Sequence, residues 1–196
     1  MSEEAITVER KTKETAIFLR LDFLEQKPPE VTTGVPFFDH ILTSFAFHGG
    51  FGLILKAEGD LSVDAHHLVE DTGLVLGQAL DTYTSANSKL NRFGWVILPM
   101  DEALAEVAVD VCGRPTLVYR ANYPQKLIGN FDVSLVREFL AGLVQKAKIS
   151  LHINLRYGKN SHHMAEALFK ALGKALAQAY QICTERKLGL STKGTL

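Results

Sequence analysis

Two segments of the chain carry the same pattern of potential metal ligands. Residues 64–73 read DAHHLVEDTG and residues 160–169 read NSHHMAEALF, so each has two adjacent histidines and then a glutamate three residues after the second. On a helix, residues four apart share a face, whereas neighbours are rotated by about 100°. The first histidine of each copy therefore shares a face with the glutamate, and the second points elsewhere. The members are His66, His67 and Glu70 in the first copy, and His162, His163 and Glu166 in the second.

This spacing predicts two metal sites. Adjacent histidines on a regular helix cannot easily bind one ion, but they can bind two, so each metal would take the His/Glu pair of one copy and the second histidine of the other. His152, on a strand expected beside the second helix, and His40, at a helix start, would complete the two sites. Both motifs are expected in the first turn of a helix, where the dipole disfavours imidazolium and keeps the ring neutral.

The ligand set narrows the choice of metal without deciding it. Imidazole and carboxylate ligands without cysteine fit Mn, Fe, Co or Zn. The order H-E-x-x-H of zinc proteases is absent.

The elements that must position these residues occur in the same order twice. Alternating or helically spaced apolar residues predict each element, with glycine, proline or a capping residue at its ends. In the first half these are a pair of strands (residues 6–8 and 17–23), a helix from Phe38 to Gly49, the strand FGLILKAEGD, and a helix with Asp64 as N-cap. In the second half they are strands broken by turns at Pro99 and Gly113, the helix FDVSLVREFLAGLVQKAK, the strand ISLHINLRYG, and a long helix from Asn160.

The repeated order predicts an internal duplication. Phe38-Asp39 and Phe131-Asp132 are expected to open the first helix of each half, and Lys56 and His152 each precede their His-His pair by ten residues. We therefore expect one body made of two halves, residues 1–90 and 91–196, each a sheet with helices packed on it.

Composition excludes several classes of function. The formal net charge of −1 gives no basic face for nucleic acid. The apolar stretches are too short to span a membrane, and the start MSEEAITVERK has no signal-peptide core, so we expect a cytoplasmic protein. Cys112 and Cys183, the two cysteines, are expected to be reduced thiols.

Several motifs together carry a resemblance. FFDHILTSFAFHGG, DAHHLVEDTG, RFGWVILPMDEA, CGRP, NSHHMAEALFKAL and STKG, in that order, resemble the imidazoleglycerol-phosphate dehydratase family of histidine biosynthesis. The resemblance runs from residue 10 to residue 194. The loop QKPPE, residues 26–30, departs from the short glycine-containing turn expected there, but it lies away from the motifs.

The resemblance implies a fold and a reaction. The fold is α/β (α+β), an internal duplication of two similar halves, each a four-stranded mixed sheet with two helices packed on it. The chain would assemble into a shell of twenty-four subunits with sites at subunit contacts. The reaction removes water from D-erythro-imidazole glycerol phosphate to give imidazole acetol phosphate. Two Mn²⁺ ions per active site would hold the substrate's imidazolate between them, so that the ring can expel the adjacent hydroxide before a proton is removed from carbon.

The resemblance also assigns roles to individual residues. Glu14 matches the acid/base carboxylate, and His48 lies at the edge of the substrate site. The residues that match the phosphate grip are Arg92, Arg114, Lys170, Ser191 and Lys193. Asp71, next to Glu70, is expected to support a ligand histidine through a hydrogen bond.

Two other functions fit the residues. Two metals with a phosphate grip would also suit a dinuclear metal phosphoesterase, which should release phosphate from generic esters. A metal-storage or structural metal protein would explain the histidines, but it would leave Glu14 and the basic residues of the tail without a role.

Overall fold

The structure, a computed structural model, describes residues 5–87 and 89–183. Apart from three short strands at residues 30–32, 127–128 and 131–132, its elements follow the order expected from the sequence. The first half contains β1 (Ile6–Lys11), β2 (Thr15–Asp22), β3 (Glu30–Thr32), α1 (Pro36–Gly49), β4 (Gly52–Gly59) and α2 (His66–Ala86). The second half contains β5 (Phe93–Met100), β6 (Ala103–Val111), β7 (Thr116–Arg120), β8 (Leu127–Ile128), β9 (Phe131–Asp132), α3 (Leu135–Ala147), β10 (Ile149–Tyr157) and α4 (Ser161–Tyr180).

Two four-stranded sheets of matching topology make up most of the strand structure. Their strand orders are β1-β2-β4-β3 and β5-β6-β10-β7, and β8 and β9 form a separate short hairpin. In each large sheet the last strand of the order runs parallel to its neighbour, and the other pairings are antiparallel. The α/β fold class with two mixed four-stranded sheets is confirmed.

The four helices lie between the two sheets. Helices α1 and α2 pack on the first sheet, and α3 and α4 pack on the second. Each helix also packs against a helix of the other half, α1 on α4 and α2 on α3. The core therefore lies between the sheets, and the inward residues of β2, such as Ile17, Leu19 and Leu21, are buried against the helices.

Glycines allow the helices of the two halves to approach closely. A Cβ added at Gly73 of α2 would lie 2.1 Å from the carbonyl oxygen of Phe139, and one added at Gly173 of α4 would lie 2.0 Å from that of Phe45. Both distances are far below van der Waals contact, so any side chain would push the helices apart. The helices that carry the two His-His-x-x-Glu motifs are thus held against the opposite half.

The predicted turn at Pro99 was wrong. Pro99 lies within β5, opposite Leu104, and the chain turns instead at Asp101 and Glu102. Because β5 is an edge strand, a residue without a backbone N–H can be accommodated there. The turn at Gly113 is confirmed, since this residue has a φ of 72°.

Two predicted helix starts also differ. Phe131 and Asp132 form β9 rather than opening a helix, and α3 begins at Leu135. Asp64 is not the N-cap of α2, because Ala65 holds that position, but its carboxylate accepts the backbone N–H of His66 at 2.7 Å. The helix predicted from Asn160 begins at Ser161, and Asn160 is its N-cap, with a side chain that accepts the N–H of His162.

No helix in the described parts of the chain has the length and apolar content needed to cross a membrane.

Candidate active site

Three of the predicted metal ligands come together between α1 and α4. The Nε2 atoms of His40 and His162 each lie 3.4 Å from Oε2 of Glu166. The three potential ligand atoms lie within 4.8 Å of one another, and no other described His, Cys, Asp or Glu residues form such a group of three. Because α1 and α4 belong to different halves, packing between the halves creates this cluster.

Lys170 holds the buried carboxylate of this cluster. Its Nζ lies 2.8 Å from Oε1 of Glu166, the oxygen that faces away from the histidines. Burial alone raises the pKa of Glu166, but the hydrogen bond and charge of Lys170, together with His40, outweigh it, and the net pKa is lowered. An ionised carboxylate beside two imidazoles is a suitable donor set for a divalent cation.

The other His/Glu pair lies on α2. The Nε2 atom of His66 is 3.7 Å from Oε2 of Glu70, four residues further along the helix, and both side chains are nearly half exposed. This confirms the predicted shared face. No third histidine or acid of the described residues completes a group of three around the pair.

The second histidine of each motif is bound by a carboxylate that the sequence analysis did not identify. Nδ1 of His67 lies 3.1 Å from Oδ2 of Asp60, and Nδ1 of His163 lies 2.7 Å from Oε2 of Glu102. Asp60 follows β4 and Glu102 lies in the β5–β6 turn, so the two contacts have no common spacing in the sequence. A carboxylate on Nδ1 fixes the ring orientation and leaves Nε2 to bind a metal.

These carboxylates also act against the expected effect of the helix dipole, which disfavours imidazolium. The hydrogen bond from Asp60 raises the pKa of His67, and the hydrogen bond from Glu102 raises the pKa of His163. In return, His163, with backbone N–H groups that include that of Lys159, lowers the pKa of Glu102 to about 2. A full negative charge at hydrogen-bonding distance outweighs the partial charge of a helix terminus.

Glu14 lies beside the first motif. It is in the turn between β1 and β2. Its Oε2 is 3.8 Å from Nδ1 of His67, and its carbonyl oxygen accepts the N–H of Asp60 at 3.1 Å. The side chain is 57% exposed, so its carboxylate can reach a bound substrate.

Two predicted positions differ in the structure. Asp71 does not support a ligand histidine, because its oxygens bind the Thr15 hydroxyl and the Arg10 guanidinium. His152 does not point towards α4. It is exposed on the face of β10 opposite the buried Leu151 and Ile153. Side chains alternate along a strand, so His152 faces outwards and cannot join the ligands of its own chain.

The predicted phosphate-binding residues are not all in one place. Lys170 contacts Glu166 and lies close enough to His48 to help lower its pKa, for which partial burial is the larger cause. Arg92, with a φ of 73°, donates two hydrogen bonds to the carboxylate of Asp110, from Nε at 2.7 Å and from Nη2 at 3.2 Å. Arg114 is exposed next to the Gly113 turn. The remaining two, Ser191 and Lys193, lie outside the described residues.

The described side chains thus form two separate groups. One contains the His40 cluster (His40, His162 and Glu166) with Lys170, His163 and Glu102. The other contains the first motif with Glu14 and Asp60. Within the described part of the chain, no hydrogen bond, ion pair or ring contact joins the two groups. Each group has its own possible metal ligands and at least one further charged side chain.

Comparisons with known proteins agree on one family. Residues 33–176 match the family model described as imidazoleglycerol-phosphate dehydratase. An imidazoleglycerol-phosphate dehydratase of Geobacter sulfurreducens is 47% identical over 196 residues, covering 100% of both chains. One of Streptococcus mutans is 48% identical over 189 residues, covering 96% of this chain and 97% of its own.

Solved structures of the same enzyme show the same fold. The crystal structure of the enzyme from Staphylococcus aureus aligns with a TM-score of 0.84 at 37% identity, covering 92% of this chain and 100% of that one. The structure from Pyrococcus furiosus aligns with a TM-score of 0.82 at 39% identity, covering 96% and 100%.

Proposed function

Because the chain belongs to the imidazoleglycerol-phosphate dehydratase family, and so is a hydro-lyase of histidine biosynthesis, we propose that it binds two divalent cations through its duplicated motifs. Mn²⁺ is the cation we propose, two per active site. The observation that carries this proposal is the cluster of His40, His162 and Glu166, whose ligand atoms lie within 4.8 Å of one another.

The residues fit such ions. His40, His162 and Glu166 would hold one cation, with His67 as the further imidazole from the other motif. His66 and Glu70 would begin the second site, with Asp60 and Glu102 orienting the second histidines. The cations would supply Lewis-acid stabilisation of negative charge on the substrate's imidazole ring.

Glu14 is the residue we propose for proton transfer. Dehydration removes a proton from a carbon of the substrate and releases the hydroxyl group of the neighbouring carbon as water. The Glu14 carboxylate would accept the carbon-bound proton, and it could return a proton when the enol becomes the ketone. Its turn lies against the first motif, so the carboxylate is near the place where the imidazole would bind.

Positively charged side chains would hold the phosphate. Lys170 lies next to the His40 cluster, with His48 near it at the edge of the site, and Arg114 is exposed, so its guanidinium is available to an anion. The guanidinium of Arg92 already pairs with Asp110, so a phosphate would have to bind it alongside that carboxylate. The proposed roles of Ser191 and Lys193 concern residues outside the described part of the chain.

The active site is proposed to form between subunits. His152 faces outwards, away from the other proposed ligands of its own chain. We propose that a metal site is completed instead by His152 of the partner subunit. The outer face of edge strand β5 presents Phe93, Trp95 and Ile97, with Trp95 70% exposed, and an apolar row of this kind favours association. We therefore propose a large homo-oligomer, the twenty-four-subunit shell that the resemblance implies.

We propose that the protein is cytoplasmic, because both cysteines are free thiols.

One experiment tests the metal proposal directly. Metal-free protein is reloaded with Mn²⁺, its metal content is measured by atomic emission, and ketone formation from imidazole glycerol phosphate is followed alongside phosphate release. About two ions per chain, ketone formation and no phosphate release are expected for a two-metal dehydratase. His162→Ala should lose an ion and activity together, whereas Asp81→Asn, at a surface carboxylate paired with Lys148, should lose neither. Full metal content in His162→Ala would refute the ligand assignment.

A further inference from the structure

The turn that carries Glu14 is held by the side chain of Thr12. The Thr12 hydroxyl oxygen accepts the backbone N–H of Glu14 at 3.1 Å and that of Thr15 at 2.9 Å. The N–H of Thr12 in turn donates to the carbonyl oxygen of Thr15 at 2.9 Å. A hydroxyl has one proton, and the Thr12 oxygen already accepts two hydrogen bonds, so its own proton is free to be donated onwards.

The acceptor of that proton is Thr15, and the direction of the hydrogen bond is set by Asp71. The two threonine hydroxyl oxygens are 3.1 Å apart, and the Thr15 hydroxyl donates to Oδ2 of Asp71 at 2.5 Å. A carboxylate only accepts hydrogen bonds. Thr15 therefore uses its proton on Asp71, and its hydroxyl oxygen, at 3.1 Å, is a nearer acceptor for the Thr12 proton than the Thr15 carbonyl oxygen at 3.5 Å. Chains of this kind polarise one another and strengthen each bond.

Asp71 is itself fixed in place. It is buried on α2, one residue after Glu70, and its other oxygen binds Nε of Arg10 at 3.0 Å. The relay therefore runs from the backbone of Glu14, through two threonine hydroxyls, to a carboxylate on the helix that carries the first metal-binding motif.

We propose that Asp71, acting through Thr15 and Thr12, is a positioning residue for Glu14 relative to the His66-His67 helix. This inference rests on the proposed role of Glu14 as the acid/base. The relay ties the β1–β2 turn to α2 at a buried point, while the carboxylate of Glu14 stays exposed. Losing the Thr15 hydroxyl leaves Asp71 without a partner for one oxygen and frees the turn to move relative to the histidines.

The test uses pairs of variants that differ by one hydroxyl group. Thr15→Val keeps the shape of the side chain and removes the donor, whereas Thr15→Ser keeps the donor. The control is Thr72→Val, because Thr72 is equally buried on α2 but its hydroxyl binds only the Leu68 carbonyl of its own helix. In the metal-loaded enzyme, kcat of Thr15→Val should fall on the order of 10-fold to 100-fold, the range for a misplaced catalytic group. KM and metal content should not change.

Rescue and coupling separate positioning from general destabilisation. Thr15→Ser should have a kcat close to that of the parent enzyme. Thr72→Val should also keep the parent kcat, even if the melting temperature of this variant is lower. In a Glu14→Gln background, Thr15→Val should lower kcat no further, because two changes that act through one group are not additive. A full additional loss in the double variant would overturn the proposal.

A second readout does not involve activity. In the metal-free protein, amide hydrogen exchange at Glu14 and Thr15 should be faster in Thr15→Val than in the parent, and close to the parent in Thr72→Val. Thr12→Val, at an exposed position where folding is not threatened, should give the same exchange result and the same loss of kcat. Unchanged exchange and kcat in both variants would refute the relay.

The outcomes also distinguish this inference from the proposed function. If Glu14→Gln keeps the parent rate, the acid/base role is wrong, and the positioning proposal is wrong with it. If Glu14→Gln is inactive but Thr15→Val and Thr12→Val are fully active, only the positioning proposal is wrong.

Discussion

Nδ1 of His163 lies 2.7 Å from Oε2 of Glu102, in the turn between β5 and β6. Glu102 also accepts the backbone N–H groups of Lys159 and Asn160, each at 2.9 Å, just before α4 begins. One carboxylate thus orients a proposed metal ligand and the start of the helix that carries it. The equivalent contact between His67 and Asp60 supports the first motif in the same way.

The first prediction concerns this contact. Glu102→Gln keeps a hydrogen-bond acceptor for His163 and for the backbone but removes the negative charge. The Nε2 atom of His163 then becomes a weaker electron-pair donor to the metal. Affinity for Mn²⁺ should fall about 10-fold to 100-fold, the usual effect of changing a ligand's supporting group. Calorimetric titration of metal-free protein measures it. Glu138→Gln, which removes a carboxylate paired with Arg137, should bind Mn²⁺ as the parent does. Equal affinity in Glu102→Gln and the parent would show that Glu102 does not tune the site.

Glu14→Gln is expected to separate catalysis from metal binding. The variant should keep both ions, still bind substrate, and lose about 10²–10⁴-fold in kcat, the usual share of a general acid/base. A fall in metal content would instead make Glu14 a ligand. If kcat, substrate affinity and metal content all equal those of the parent, Glu14 is only a surface charge.

Lys170→Gln tests whether this lysine binds the phosphate or only Glu166. A lost hydrogen bond between charged groups is worth about 1.5–3 kcal/mol, so KM should rise at least about 10-fold if Lys170 binds phosphate. If its role is confined to the 2.8 Å contact with Glu166, Mn²⁺ affinity should fall and KM should stay the same. Lys146→Gln, at an exposed position on α3, is the charge-matched control.

Metal removal should weaken the assembly. If His152 of the partner subunit contributes to a metal site, binding of the ion and association are coupled. Chelation is expected to shift the sedimentation profile from a large particle to smaller species, and Mn²⁺ should restore it. The same profile after verified metal removal would contradict shared ligands, and His152→Ala should behave as the chelated parent does.

High pH should destabilise the fold through a partly buried tyrosine pair, Tyr119 and Tyr123. Burial raises the pKa of Tyr119 to about 12 and that of Tyr123 well above 10, and the two hydroxyls are 3.3 Å apart. In the unfolded chain both lose their protons near pH 10. The contribution of the two neutral tyrosines to the free energy of unfolding is therefore complete below pH 10 and is lost as the pH rises towards 12. Urea midpoints should fall over that range, and less steeply in Tyr119→Phe than in Tyr157→Phe, whose ring is 60% exposed. Equal slopes would contradict the assignment.

Several features of this protein could be predicted from the sequence alone because they depend on local geometry. The pairing of His162 with Glu166 follows from the 3.6-residue period of a helix, and the structure has their ligand atoms 3.4 Å apart. Apolar periodicity likewise predicted the order of strands and helices, and the repeat of that order predicted two similar sheets. The family could be recognised because its motifs keep their order along the chain.

Contacts between distant parts of the chain required the tertiary structure. His40 joins His162 because α1 packs on α4, and Asp60 and Glu102 reach His67 and His163 through loops whose paths follow no periodic rule. The outward direction of His152 depends on which face of β10 the helices cover, and that is decided by packing between layers. The hydrogen bond between Thr15, next to Glu14, and Asp71 spans 56 residues of sequence. Except for Asp60 and His67, which are seven residues apart, these contacts are non-local, so no spacing in the sequence encodes them and only the packed core brings the residues together.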